Sequence, residues 1–416
     1  MGNNNETVDR AKARACEVVD GIAGDLVAAS HAIHACPELG YAEHFAADRL
    51  AGLLERHGLT VERGAYGIET AFAARAGMDD APHVAVCCEY DALPGIGHAC
   101  GHNLIGAAGA GAGIALGALV NELGGRVTAL GTPAEEMSGG GKIRLLEAGA
   151  FDGVDVAMMV HPEAGDVAYV PYLANDVLIV EMHGKAAHAS SSPWAGINAL
   201  DAIVAGYTAV AALRQHTRDD EKIHGIILDG GKADNIVPDY ASARFRVRAR
   251  SREHLAPLRE RVLACFEGAA RQNGARLEHT WLGGYLDMRS NRAVAAAYRA
   301  NGERLGRMFH DPKTIPASIA GSTDMGNVSY QLPAIHPVIG MCPLDVAGHT
   351  VEFAEWAISD SADRAVLDGA KALAMTAIDV WMRPELRTAA HDEFARVVSA
   401  PSGGRAVSGA SSADPA

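Results

Sequence analysis

The segment at residues 84–106, VAVCCEYDALPGIGHACGHNLIG, constrains the fold of this chain more than any other stretch. Its first five residues are small, apolar or β-branched, which predicts a strand buried on both faces at 84–88. Glu89 and Asp91 follow that strand, and a proline and two glycines then prevent it from continuing. The Ala-, Gly- and Leu-rich run after the loop predicts a helix over 104–119. The polar residues of the loop therefore lie at the carboxyl edge of a sheet, where open α/β folds place their sites.

Cys100 and His102 stand one residue apart in this loop. In an extended loop their side chains point the same way and can share one ion, and thiolate and imidazole are ligands that borderline-soft divalent metals prefer. The alternative interpretation is that Cys100 is a small buried hydrophobic residue and the histidine a hydrogen-bonded core residue. Asn103 is interpreted as a helix N-cap, a position that Asn favours. The pair alone leaves the metal and core interpretations open.

Two further predicted strands end in residues of the same chemical kind. The strand at 126–130 runs into Glu135 and Glu136, and the strand at 155–160 runs into His161. Neighbouring residues on an irregular loop point in different directions, so one glutamate can bind a metal while the other meets a water. A solvated acidic loop is the alternative for that pair. The repetition of such residues at three strand ends predicts a common site.

Composition limits the classes of partner. The chain has 416 residues, 49% apolar and 21% charged, which permits two or three globular domains. A net charge of −15 argues against nucleic acid or an anionic membrane as a partner. The seven cysteines have no regular spacing, the first residues contain no apolar signal-like stretch, and no segment reaches the ~18 apolar residues of a membrane span. We expect a soluble cytoplasmic protein.

The pattern of predicted strands and helices changes at residue 175. The elements predicted after it are a strand, a helix, two strands, a helix and a strand, at 176–183, 196–216, 224–228, 240–249, 253–272 and 276–281. This βαββαβ order is typical of a four-stranded sheet with two helices on one face. We therefore predict an inserted domain at 175–286 between catalytic-domain parts at 1–174 and 287–398. Composition predicts a disordered tail at 399–416.

Several motifs together carry a family resemblance. They are CPELGYAE from Cys36, EYDALPGIGHACGHN from Glu89, GTPAEE from Gly131, MMVHP from Met158, GKAAHAS from Gly184 and DNIVPDYASARFRVR from Asp234. In this order they resemble the aminoacylase-like co-catalytic metallopeptidases and amidohydrolases, in the branch of auxin-amide hydrolases, N-acyl-amino-acid amidohydrolases, aminobenzoyl-glutamate hydrolases and related dipeptidases. The resemblance covers nearly the whole chain. It implies an α/β fold: an aminopeptidase-like catalytic domain with a central mixed sheet flanked by helices, plus an inserted α+β ferredoxin-like dimerisation (lid) domain.

The resemblance also implies roles for individual residues. It implies two divalent metal ions per subunit, zinc or manganese, with ligands at Cys100 (bridging), His102, Glu136, His161 and His349. Glu135 matches the general base, and Asp91 an acid that supports the site from behind the ligands. His188 matches a histidine that reaches the partner's site in a homodimer, and Asn235 a residue that binds substrate. His336 competes with His349 for the last ligand position, and His349 is preferred.

The implied activity is hydrolysis of an amide bond. The substrates would be small molecules, namely N-acyl amino acids, aminobenzoyl-glutamate-like conjugates or dipeptides, cleaved by a metal-activated water with Glu135 as base. Asn103 stands where the common family pattern has Asp, and residues 322–325 read STDM in place of SEDF. Both departures point toward the aminobenzoyl-glutamate and dipeptidase-like members. The alternative is a non-catalytic member that binds peptides or conjugates in the same cleft; a lost base or ligand would favour it, and every candidate is present.

Overall fold

The structure is a computed structural model that describes residues 2–137, 140–314 and 321–399. The helices of these residues, apart from short 3₁₀ turns, are α1 (Gly2–Gly21), α2 (Ala23–Ala35), α3 (His44–Arg56), α4 (His102–Gly117), α5 (Val120–Leu123), α6 (Gly141–Glu147), α7 (Ala199–Leu213), α8 (Arg252–Asn273), α9 (Arg292–Arg304), α10 (Met325–Ser329), α11 (Val351–Trp356), α12 (Asp360–Met382) and α13 (Pro384–Ser399). The strands are β1 (Thr60–Arg63), β2 (Phe72–Gly77), β3 (His83–Cys88), β4 (Arg126–Gly131), β5 (Val156–Met158), β6 (His161–Glu163), β7 (Ala174–His183), β8 (Lys222–Asp229), β9 (Tyr240–Ala249), β10 (Arg276–Trp281), β11 (Ala334–Ile335) and β12 (Val338–Gly340).

The main sheet has six strands in the order β1-β2-β4-β3-β5-β11. Strand β3 lies between β4 and β5 and is parallel to both, whereas β2 is antiparallel to β4, so the sheet is mixed. Every residue of β3 is buried, which confirms the predicted central strand. Helix α4 packs closely on β3: a Cβ on Gly109 would lie 2.7 Å from Cys88 Sγ and 2.9 Å from the Cys87 carbonyl oxygen. This close contact fixes the helix start, and with it His102, above the end of the central strand.

The second sheet is a separate antiparallel unit of four strands in the order β10-β7-β9-β8. Its chain order, β7-α7-β8-β9-α8-β10, confirms the predicted βαββαβ pattern. Both helices cover one face, where Ile203 and Phe266 pack with Val180 and Phe245 in a core of its own. The other face bears Arg244, Arg246 and Arg248 at alternate positions of β9, and β8 is an edge strand. The fold is therefore an α/β domain that carries an inserted α+β unit.

Several predicted boundaries were wrong in ways that affect the site. Helix α4 begins at His102 after Gly101, whose φ of 73° turns the chain, so Asn103 is not the N-cap. Asn103 instead lies buried in the first turn, where its amide donates to Ser30 Oγ at 2.9 Å and to the Ala357 carbonyl oxygen at 3.1 Å. The strand predicted at 155–160 ends at Met158. His161 belongs to β6, which leaves the main sheet and pairs with β12.

The ends of the chain also differ from the prediction. The helix predicted at 7–34 is divided into α1 and α2 at Ile22, which has φ −113° and ψ 12°. Of the tail predicted at 399–416, Ser399 ends α13, and residues 400–416 lie outside the described residues. Among the helices that the structure describes, none is long and apolar enough to cross a membrane.

Candidate metal centre

Asp91 holds two of the predicted ligand residues in place. Its Oδ1 lies 2.9 Å from His102 Nδ1, and its Oδ2 accepts the Glu136 backbone N–H at 2.9 Å. Because an imidazole that donates from Nδ1 keeps a lone pair on Nε2, Asp91 leaves His102 Nε2 free for a metal. Burial opposes the charge of Asp91, but the neighbouring His102 outweighs it and lowers the pKa of the carboxyl. This placement matches the supporting role predicted for Asp91.

The two atoms that face one another at this point lack hydrogen-bond partners among the described residues. His102 Nε2 and Glu136 Oε1 are both buried and make no hydrogen bond with any described residue. They lie 4.0 Å apart. A cation between them would satisfy both atoms, and orphaned buried polar groups are costly without such a partner. The residues at the site therefore fit a divalent metal ion.

Three sets of donors are compact enough to hold an ion. They are Cys100 with His102 and His161, Cys100 with Glu136 and His349, and His102 with Glu135 and Glu136; within each set the donor atoms lie within 4.8 Å of one another. Cys100 belongs to two of these sets. Cys100 is therefore a residue that would help to hold a metal ion in either of these two sets.

His161 presents its Nε2 to the thiol. The Cys100 Sγ to His161 Nε2 distance is 3.4 Å, and His161 Nδ1 lies 2.8 Å from the Pro162 carbonyl oxygen. That carbonyl accepts a hydrogen bond from the Nδ1–H group, so that Nε2 keeps its lone pair. Burial, with the nearby His102, lowers the pKa of His161 to about 3, so the ring is neutral, as a metal ligand must be. Although the strand boundary was wrong, His161 still reaches the predicted cluster.

His349, and not His336, belongs to one of the compact donor sets of the described residues. His349 Nε2 lies 3.4 Å from Glu136 Oε1. Its backbone has φ 61°, a left-handed conformation that is strained for a residue other than glycine, and its N–H donates to the Ala99 carbonyl oxygen at 2.8 Å. His336 is buried but also lines the cavity: its ring centroid lies 5.6 Å from that of His161 and 4.6 Å from that of Tyr172, on which it stacks. Among the described residues, His336 belongs to none of the compact donor sets.

Glu135 lies beside the ligands with its backbone tied down. Its side chain joins His102 and Glu136 in one donor set, and its backbone carbonyl accepts a hydrogen bond from the Tyr285 hydroxyl. Burial, and then the carboxylates of Glu89 and Glu136, raise the pKa of Glu135 well above its usual range. A cation among these acids would lower it again. Tyr285 was not predicted, because it follows the last strand of the inserted unit and only the fold brings it next to Glu135.

A buried ion-pair network that the sequence did not reveal lies next to His102. The ammonium of Lys142 pairs with Glu89 and, at 2.6 Å, with Asp324 Oδ1; all three side chains are 0% exposed. The second oxygen of Glu89 lies 3.6 Å from His102 Nε2. Burial alone would lower the pKa of Lys142, but Asp324 and Glu89 outweigh it and keep the ammonium charged. The partners stand 53 and 182 residues from Lys142, so no local pattern could have identified them.

The donors open into a cavity of about 360 Å³, at the lower end of the ~300–1,000 Å³ range of small-molecule sites. Glu163 lines it from β6, and Arg246 and Arg248 line it from β9. Arg246 Nη1 donates to Asn175 Oδ1 at 3.0 Å, and Arg248 Nη1 donates to Ser322 Oγ at 2.9 Å. Within the described residues neither guanidinium pairs with a carboxylate. The alternation of arginines in β9 was visible in the sequence, but not that two of them face this cavity.

His188 and Asn235 lie elsewhere on the inserted unit. Both are exposed, and they are neighbours, since Ala189 N donates to the Asn235 carbonyl oxygen at 3.0 Å. His188 Nδ1 lies 3.3 Å from the N–H groups of Ser190 and Ser191, which leaves Nε2 free. Neither residue lines the cavity of its own chain. The roles predicted for them stay predictions, since neither residue reaches the metal donors of its own chain in this structure.

Nitrogen, oxygen and sulfur donors that converge beside the end of the central strand form the kind of donor set found in metal-dependent hydrolases. The model of the peptidase dimerisation domain of the M20 family matches residues 178–273. The chain is 40% identical over 397 residues to the Xaa-Arg dipeptidase of Mus musculus, covering 92% of each chain. It is 28% identical over 434 residues to a component of the p-aminobenzoyl-glutamate hydrolase of Escherichia coli, covering 87% of this chain and 90% of that one.

A solved structure shares the fold. It is a dinuclear metal-binding peptidase of the M20 family from Bacillus subtilis, with a TM-score of 0.68 and 21% identity, covering 87% of this chain and 99% of that one. The chain belongs to the M20 family of metallopeptidases and amidohydrolases. The predicted family, fold class and hydrolase activity are confirmed.

Proposed function

We propose that this enzyme cleaves the amide bond of a dipeptide or N-acyl amino acid whose free carboxylate it binds, with two divalent metal ions, zinc or manganese, per subunit. The observation that carries the proposal is one small cavity that joins the metal donors to two arginines without carboxylate partners. The relatives support it: the mouse protein is named for dipeptides, the E. coli protein for a glutamate conjugate, and the Bacillus peptidase as dinuclear. Dipeptides and glutamate conjugates both end in a free carboxylate.

Cys100, His102, Glu136, His161 and His349 would hold the ions. Divalent ions bound there supply Lewis acidity at the scissile amide. Thiolate and imidazole suit zinc, whereas carboxylate suits manganese, so the donor set is compatible with both. Asp91 fixes the direction of His102 and Glu136, and outer partners of this kind typically change metal affinity ~10–100-fold.

Glu135 would move the proton. Its side chain is 8% exposed. It belongs to the donor set with His102 and Glu136, whereas the other two donor sets do not include it. In the proposed reaction its carboxylate takes one proton of the attacking water while the water oxygen bonds to the amide carbon; the C–N bond then breaks, and the same proton passes to the leaving amine. Tyr285, which donates to the Glu135 carbonyl oxygen, restricts the backbone from which the carboxylate projects.

Arg246 and Arg248 would bind the carboxylate of the substrate. A guanidinium recognises a carboxylate through paired N–H donors, and such charge-assisted bonds are about twice as strong as neutral ones. Both arginines are partly buried, so an anion placed between them is poorly screened by water. Placing the carboxylate there would orient the amide toward the metal donors.

The direct test is hydrolysis by the metal-loaded protein. We expect release of free amino acid from a panel of dipeptides, N-acyl amino acids and aminobenzoyl-glutamate. Glu135→Gln should lower turnover ~10²–10⁴-fold while metal content stays the same, because it removes only the proton acceptor. Retention of near-normal turnover in this variant would exclude Glu135 as the base, and no hydrolysis by the wild-type protein would contradict the proposed activity.

We propose further that the enzyme is a homodimer in which His188 completes the partner's site. Strand β8 pairs with β9 on one side and with no described strand on the other, and its residues Ile226, Ile227 and Leu228 are 52%, 41% and 48% exposed. Unpaired edges and exposed apolar patches mark sites of association. The position of His188 outside its own cavity fits a role in the oxyanion stabilisation of a second chain.

A mixing experiment tests this arrangement. His188→Ala and Glu135→Gln are each expected to be inactive alone. When their subunits exchange, each mixed dimer has one site with an intact Glu135 and an intact His188 from the partner, so activity should return. Exchange demonstrated by mass-labelled subunits, without any recovery of activity, would refute action in trans.

A cytoplasmic location also stays part of the proposal, supported by seven cysteines that are all unpaired.

A further inference from the structure

The cavity carries a negative charge that the metal site does not use. Glu163 follows His161 by two positions in β6, so both side chains lie on the same face of the strand. The rise of ~3.3 Å per residue places Glu163 ~6–7 Å along the strand from the ligand. Among the compact donor sets of the described residues, Glu163 is a member of none. It thus lines the cavity next to the reacting centre without being one of the candidate ligands.

Glu163 has no cationic partner among the residues that the structure describes. It is half-buried; burial raises the pKa of its carboxyl, and the nearby backbone N–H of Ala164 only partly offsets this effect. Within the residues that the structure describes, no Lys, Arg or His side chain forms an ion pair with it. A half-buried carboxylate without a cation is poorly compensated, and a positive group brought by a ligand would compensate it.

The cavity therefore contains unpaired charges of both signs on different elements. Glu163 comes from β6, whereas Arg246 and Arg248 come from β9 of the inserted unit. Each arginine is held by one neutral acceptor, Asn175 or Ser322, which leaves further N–H groups of the fork for a ligand. A small molecule that carries only a carboxylate would satisfy the arginines and leave Glu163 unpaired.

From these charges we infer that the enzyme is selective for substrates that carry a cationic nitrogen as well as a free carboxylate, and that Glu163 binds this nitrogen. The inference rests on the proposed function and narrows its substrates, from dipeptides and N-acyl amino acids with a free carboxylate to zwitterionic substrates such as unblocked dipeptides. The cationic nitrogen has two possible sources, the α-ammonium group of a dipeptide or a basic side chain. A charge-assisted contact of this type is worth ~10–100-fold in affinity.

Three substrates separate the sources. Ala-Ala carries only an α-ammonium group, N-acetyl-Ala-Arg carries only a guanidinium group, and N-acetyl-Ala-Ala carries no cation. For the metal-loaded full-length enzyme we expect Glu163→Gln to raise KM ~10–100-fold for the cationic substrate that Glu163 serves. N-acetyl-Ala-Ala should be a poor substrate whose kcat/KM does not change. A selective loss on Ala-Ala assigns Glu163 to the α-ammonium group, and a selective loss on N-acetyl-Ala-Arg assigns it to the side chain.

Glu352→Gln is the matched control, since Glu352 is exposed on α11 and does not line the cavity. It should leave all three substrates unchanged. Equal losses on all three substrates in Glu163→Gln, or no loss on any, would overturn the inference while leaving the proposed hydrolysis intact.

Binding provides a readout that does not depend on turnover. Calorimetric titration of the same three ligands should compare the metal-loaded Glu135→Gln variant with the metal-loaded double variant that also carries Glu163→Gln. The double variant should bind the cationic ligand more weakly. If the wild-type enzyme hydrolyses none of the panel but this difference in binding is seen, the proposed hydrolysis fails and the recognition of a cation stands. Equal affinities in the two backgrounds would refute the role of Glu163.

Discussion

The ion-pair network around Lys142 makes a strong prediction about stability. Lys142→Met preserves most of the apolar stem of the side chain but removes its ammonium, so that Glu89 and Asp324 face each other without a cation. Both carboxylates are 0% exposed. Removing one partner of a buried ion pair leaves an uncompensated buried charge, and the typical cost is ~3–5 kcal/mol. At ~2 °C per kcal/mol for a domain of this size, the melting temperature should fall by about 6–10 °C.

A second lysine provides a control of matched geometry. Lys371 pairs with Asp20 at 2.6 Å, the same nitrogen-to-oxygen distance as the pair of Lys142 with Asp324. Its side chain is 15% exposed and that of Asp20 is 60% exposed. Surface pairs contribute ~0–1 kcal/mol, so Lys371→Met should shift the melting temperature by ~2 °C at most.

Thermal unfolding of both variants, followed by Trp fluorescence, measures the difference directly. Metal content of the folded Lys142→Met protein should also be reduced, because Glu89 lies 3.6 Å from His102 Nε2 and would no longer be held by the ammonium. If the melting temperatures of the two lysine variants fall by similar amounts, burial does not determine how much each ion pair contributes to stability, and the prediction is wrong.

Two further substitutions test the backbone around the site. Gly101→Ala should lower metal content at constant fold, measured by metal analysis and circular dichroism, because φ is 73° there and a Cβ would lie 2.5 Å from Pro162 Cγ; unchanged metal content would contradict this. Glu43 accepts the Ala134 N–H at 2.7 Å, and burial raises its pKa from 4.5 to about 7. The folded state keeps the proton of Glu43 to a higher pH than the unfolded state does. The contribution of the protonated carboxyl to stability is therefore full below about pH 4.5 and is lost as the pH rises through about 7. Glu43→Gln should therefore gain stability relative to wild type between pH 5 and pH 8, by up to about 3 kcal/mol at ~1.4 kcal/mol per pKa unit; urea denaturation at the two pH values that shows no such divergence would refute the shift.

The parts of the fold that were predictable are those encoded in local patterns. Strand β3 could be predicted because its apolar run is continuous, as required of a strand buried on both faces. The inserted unit could be predicted because the spacing of its elements matches a known order of strands and helices. The same holds for the strand-end positions of Cys100 and Glu136, since parallel strands deliver their ends to one edge of a sheet.

The parts that were not predictable depend on contacts between distant segments. Asn103 has the side chain of an N-cap, but Gly101 takes the left-handed turn and tertiary partners take the amide of Asn103. The pairing of Lys142 with Asp324 spans 182 residues and leaves no periodic signal. Glu163 reads in sequence as an ordinary acid after a short strand, and only the cavity distinguishes it from a solvated one.

The central claim is that five side chains from separate segments converge on divalent metal ions. Metal analysis of the purified full-length protein and of single-ligand variants tests it most directly. The account predicts two equivalents of divalent metal in the wild-type protein and in Glu135→Gln, a marked loss in His102→Ala and in His349→Ala, and no loss in His336→Asn. Full metal content in His102→Ala and His349→Ala, or loss confined to the His336 variant, would contradict it.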